Sequence, residues 1–100
     1  QEVLLKYLQL AQGMPGNKLK KIGHQLVARE YYGEALEIFA QIQAEDEAVT
    51  EDFWFDCGIC LYYLQDYTNA LAALERAANM GNSSNALETY IAWCKEAVKR

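Results

Sequence analysis

The residues of this chain best equipped for chemistry are its thiols and its single imidazole. Cys57-Gly58-Ile59-Cys60 has the Cys-x-x-Cys spacing of dithiol redox pairs and of metal sites. A working redox pair sets its first thiol near a helix N-terminus, after a strand, where the thiolate is stabilised. Here the pair falls well inside a segment with helical apolar spacing, and Cys57 takes one of the apolar positions. A packing role is therefore predicted. A zinc site calls for about four ligands, and Cys94 and His24 are the only other soft donors. No metal or cofactor is expected. His24 has no Ser, Cys or carboxylate motif beside it, so general acid–base work is unsupported and no enzymatic activity is expected. Glu30, Glu34 and Glu37 read as a solvated face. A redox or metal protein built on Cys57 and Cys60 is the competing class.

A second group of residues suits binding rather than reaction. Twelve of the 100 residues are aromatic, an abundance that excludes a disordered tail. A single proline excludes Pro-rich and collagen-like classes. The apolar runs fall far short of the ~18 residues of a membrane span, so no membrane insertion is expected. The net charge of −5 is unevenly placed: +4 over residues 1–29, −11 over 30–88 and +2 over 89–100. An acidic middle repels phosphate backbones, and no nucleic-acid partner is expected. Three cysteines, with no basic-then-apolar start to the chain, favour a reducing compartment, the cytoplasm.

The elements that must position these residues all read as helices. Val3-Leu4-Leu5, Tyr7-Leu8 and Leu10-Ala11 make one apolar face, broken by Gly13, Pro15 and Gly16. Asn17 is a candidate cap for the next helix, whose apolar positions are Leu19, Ile22, Gly23, Leu26 and Val27. A turn is predicted around Tyr32 and Gly33, then a helix with Ala35, Leu36, Ile38, Phe39 and Ile42 inward. The acidic stretch Glu45-Asp46-Glu47 leads to another helix near Thr50. Trp54, Cys57, Gly58 and Leu61 mark that helix, and Ala70, Leu71, Leu74 and Ala77 mark its partner. After the loop Gly81–Asn85, the final helix uses Leu87, Ile91, Ala92, Cys94 and Val98. No segment alternates with period two, so no sheet is predicted.

These helices repeat. A shift of 35 residues carries Gly23 onto Gly58, Leu26 onto Leu61, Tyr32 onto Tyr67, Ala35 onto Ala70 and Leu36 onto Leu71. Leu19 falls on Trp54, Ile22 on Cys57 and Phe39 on Leu74. A small residue lets two antiparallel helices approach closely, a small residue (Ala35, Ala70) answers it on the partner, and large residues fill the flanks.

In this pattern the chain resembles the tetratricopeptide repeat family. The signature places read Leu19, Ile22, Gly23, Leu26, Tyr32, Ala35, Phe39 and Ile42, then Trp54, Cys57, Gly58, Leu61, Tyr67, Ala70, Leu74 and Ala77. The family period is 34 residues, so one extra residue falls in the linker at 44–51, and the usual closing proline is absent from both repeats. The resemblance implies an all-α fold of antiparallel helix pairs stacked as a short right-handed superhelix. It divides the chain into a packing or capping helix (1–14), repeat one (15–49), repeat two (50–84) and a C-terminal half repeat or cap (85–100).

The resemblance also implies a concave groove, lined by the first helix of each repeat, that binds a partner protein or an extended peptide. Its places are taken by Asn17, Lys20, Lys21, His24, Val27 and Ala28, then by Asp52, Phe55, Asp56, Ile59, Tyr62 and Tyr63. The partial third repeat supplies Ala86, Thr89, Tyr90, Trp93, Glu96 and Ala97. Of the five-residue clamp by which chaperone-tail binders hold a carboxylate, only Lys20 remains, so that clamp is expected to be absent. Phe55, Ile59, Tyr62, Tyr63, Tyr90 and Trp93 instead suit a segment with apolar anchors, with Lys20, Lys21 and His24 at a basic end. Type III secretion chaperones of hydrophobic translocators are a comparison within the family, and a self-associating scaffold is an alternative.

Overall fold

The computed structural model describes residues 15–43 and 45–99. The helix predicted over 1–14 lies outside them. The described residues form five helices and no strand: α1 (Gly16–Ala28), α2 (Tyr32–Phe39), α3 (Glu51–Tyr63), α4 (Tyr67–Asn79) and α5 (Asn85–Val98). The all-α class is thus shown.

Four of the five helices begin for a local reason. The carbonyl of Pro15 accepts from the amides of Lys18 and Leu19, which starts α1 without a side-chain cap. The predicted cap Asn17 lies two residues past the N-cap position at Pro15, inside the helix. Thr50 precedes α3, whose first turn carries Glu51 and Asp52 against the positive end of the helix dipole. Asp66 caps α4 by accepting from Asn69, and the Ser84 hydroxyl caps α5 by accepting from the Leu87 amide at 3.2 Å.

Two of the turns are copies of each other. Glu30 and Gln65, 35 residues apart, both adopt left-handed backbone, with φ of 67° and 69°. In each the next amide closes the helix end, Tyr31 onto the Leu26 carbonyl and Asp66 onto the Leu61 carbonyl, both at 2.9 Å. This is the hydrogen-bond pattern that usually recruits glycine. The first turn is therefore at 29–31, before Tyr32, and Gly33 sits within α2.

The helices pack in pairs, α1 with α2 and α3 with α4, and α5 follows against α4. The first helices also meet each other, α1 with α3 and α3 with α5, which puts α3 at the centre. Glycine makes the pairing close. A methyl group on Gly58 would come within 2.6 Å of Leu74, and one on Gly23 would strike the Phe39 ring. The notches are thus filled by the large repeat partners Phe39 and Leu74, while Ala35 and Ala70 are fully buried beside them. One core gathers Leu19, Leu26, Ile38, Phe39, Phe53 and Cys60, and a second gathers Leu74, Ala77, Leu87 and Cys94; Trp54 and Leu61 border both.

Two features depart from a regular repeat. Helix α2 stops at Phe39, although Ile42 beyond it remains buried. Helices α2 and α4 do not pack together, and an open apolar cavity of about 730 Å³ separates them, floored by Phe53, Trp54, Cys57 and Leu61. At the other end, the α5 positions that correspond to Trp54, Gly58 and Leu61 are Glu88, Ala92 and Lys95, all exposed. Ala92 is thus not the buried small residue its repeat position predicts.

Candidate functional site

The six apolar residues expected to line the groove lie on α3 and α5, and the structure brings five of them into one aromatic cluster. Helical spacing sets Phe55, Ile59, Tyr62 and Tyr63 along one side of α3, and Tyr90 and Trp93 along the facing side of α5. Tyr90 is the hub. Its ring centroid is 5.3 Å from Trp93, 5.5 Å from Tyr62, 6.1 Å from Tyr63 and 6.2 Å from Phe55, in each case edge to face. The Tyr63 and Tyr90 hydroxyls share a hydrogen bond of 3.0 Å. Desolvation raises the Tyr90 phenol pKa, and the Tyr63 hydroxyl bond adds to the effect. Tyr32, expected only to pack the turn, stacks on Tyr63 with centroids 4.7 Å apart and so extends the cluster to α2. Ile59 is half-buried on α3.

The cluster is not sealed. Tyr63 keeps 46% of its surface exposed and Trp93 49%. Edge-to-face pairs of this kind add about 0.5–1.5 kcal/mol each beyond area burial. The rings therefore hold α5 onto α3 while still presenting aromatic surface.

The basic end is arranged differently. The Lys20 ammonium donates to the Thr50 hydroxyl at 2.8 Å and to Asp52 at 3.0 Å, and the Thr50 hydroxyl also bonds Asp52. Burial pushes the Asp52 carboxyl up, but these bonds outweigh it and leave its pKa below the ordinary value. His24 Nδ1 donates to the Asp56 carboxylate at 2.8 Å. Asp56 is only 6% exposed, and desolvation raises its pKa although His24 pulls the other way. Lys20 and His24 thus tie α1 to α3, and of the predicted basic residues Lys21 is exposed with no ion pair among the described residues.

The thiols are placed for packing. Cys57, Cys60 and Cys94 are all buried and reduced. Desolvation pushes the Cys60 thiol up to about 12 and raises Cys57 and Cys94 as well. A thiolate, the reactive form, is therefore scarce at neutral pH. His24 lies on α1 and Cys94 on α5, and among the described residues no cluster of three metal-binding side chains exists.

Two features escaped the sequence reading. The apolar cavity between α2 and α4 depends on where α2 stops, which periodicity does not show. Phe53 had no assigned role, yet it is buried between Phe39 and Trp54, at 5.4 and 5.2 Å. Comparison of the chain with family models, with curated proteins and with solved structures finds no match, so the chemistry of this face is to be read from its own geometry.

Proposed function

We propose that this chain is a protein-interaction module of the tetratricopeptide type, working in the cytoplasm without catalysis. It binds an extended segment of a partner protein, through apolar anchors, across the aromatic face of α3 and α5. The observation that carries this reading is the half-exposure of Tyr63 and Trp93 within an otherwise packed cluster. Large, rigid aromatic surface that costs little entropy to present is the usual energetic centre of such interfaces. The buried thiols with raised pKa values weigh against the redox alternative. No helix among the described residues is long and apolar enough to cross a membrane.

The test is selection from a displayed peptide library with the intact chain, followed by affinities for two variants. Tyr63→Ala and Trp93→Ala are each expected to weaken the selected peptides about tenfold or more and, through the ring pairs they lose, to lower the melting temperature without unfolding the chain. Retention of full affinity by both would overturn the reading. So would unfolding of both, which would make these rings part of the core.

A further inference from the structure

A small cavity of about 170 Å³ opens at the edge of the aromatic cluster, lined by Tyr62, Trp93, Glu96 and Ala97. That is the size of one side-chain end, well below the ~300–1,000 Å³ of ordinary small-molecule sites.

Its walls are chemically specific. The Tyr62 and Trp93 rings have centroids 5.8 Å apart and planes only 31° from each other. Tyr90, which does not line the cavity, braces both rings from behind edge to face, at 73° to Tyr62 and 79° to Trp93. Aromatic faces carry partial negative charge from the ring quadrupole and attract cations. Glu96 adds a full negative charge at the rim, and among the described residues it makes no ion pair, although Lys99 follows three positions later. Burial raises the phenol pKa of both Tyr62 and Tyr90, which keeps these rings neutral.

We propose that this cavity takes the cationic end of a lysine or arginine side chain from the partner, held against the Tyr62 and Trp93 rings and neutralised by Glu96. The proposal rests on the reading of the aromatic face as a partner-binding surface, and it names one residue of that partner. The bound segment then combines apolar anchors, seated at Tyr63, with a basic residue at the α5 edge.

Two small probes separate the cation from the apolar stem: Nα-acetyl-lysine methylamide and its norleucine counterpart, which lacks the ammonium. Each is titrated into the full chain while the Trp93 indole N–H is followed by NMR, the signal being assigned with Trp93→Phe. The lysine probe should shift this signal and bind about fivefold or more tightly than the norleucine probe. Glu96→Gln should remove most of that preference and leave the norleucine probe and the melting temperature unchanged. Equal binding of the two probes, no response to either, or a preference that survives Glu96→Gln would overturn the proposal. None of these results decides the wider reading, which stands or falls on peptide selection with the Tyr63→Ala variant.

Discussion

Helix α3 is flanked by two seams that occupy equivalent places in the repeat and are built from opposite chemistry. Toward α1 the contacts are polar: Lys20 with Thr50 and Asp52, and His24 with Asp56. Toward α5 they are aromatic: Phe55, Tyr62 and Tyr63 against Tyr90 and Trp93. Beneath both, the helix pairs share one design, a glycine notch filled by Phe39 or Leu74. The difference teaches that the repeat dictates how helices approach, whereas the exposed seam between successive first helices is free to vary. Polar seams consume their own donors and acceptors. An aromatic seam satisfies itself and still leaves ring surface for another molecule.

The comparison is broken most severely at the aromatic hub. Tyr90→Ala is expected to cost about 2–3 kcal/mol, since it removes a large side chain at the centre of four ring contacts. His24→Ala, at a residue whose side chain is 68% exposed, should cost about 1 kcal/mol by leaving Asp56 without its donor. Urea unfolding of both variants measures the difference. Equal losses would show that the two seams hold the helices equally well.

The polar seam is sharpened by pH. Because the folded-state pKa of Asp56 is raised, the fold favours the protonated carboxyl. This contribution is fully present below the ordinary carboxylate pKa and is lost as pH rises through the raised value. Asp56→Asn keeps an acceptor for His24 without the buried charge. It should be more stable than the parent at pH 7, and the advantage should vanish as the parent's carboxyl protonates in acid. A less stable variant at pH 7 would mean that the ionic part of the His24 contact outweighs burial.

Much of this architecture was legible beforehand, and the reason is packing. Gly23 and Gly58, Leu26 and Leu61, and Ala35 and Ala70 touch neighbours within their own helix pair, so one offset of 35 residues exposes them all. The location of the aromatic face followed from the same register. Its internal contacts did not, because whether Tyr63 stacks on Tyr32 or Lys20 reaches Asp52 depends on the rotation of helices that are neighbours only in space. The turn at Glu30 was misplaced onto Gly33 for a clear physical reason. Left-handed backbone is ordinarily marked by glycine, and here both copies of the turn use a residue with a side chain.

That irregularity supplies the smallest test. Glu30→Gly and Gln65→Gly should each stabilise the chain by roughly 0.5 kcal/mol, the relief of left-handed strain partly offset by glycine's unfolded-state entropy. Matching gains in thermal unfolding would confirm that the two halves share their turns and differ in their seams. A gain at only one position would place part of the asymmetry in the turns themselves.

The aromatic cluster also gives the molecule an optical signature. Tyrosine emission overlaps tryptophan absorption, and Tyr62 and Tyr90 lie within 6 Å of Trp93, so light absorbed by these phenols is passed to that indole. The other indole, Trp54, sits beside the α2–α4 cavity with the Arg76 guanidinium 4.8 Å above it. One chain therefore carries two built-in reporters in unlike surroundings. Sensitised emission from Trp93 follows the docking of α5 on α3, and direct excitation of a Trp93→Phe chain isolates the far side. Loosening of a single seam can be watched by fluorescence without attaching a dye.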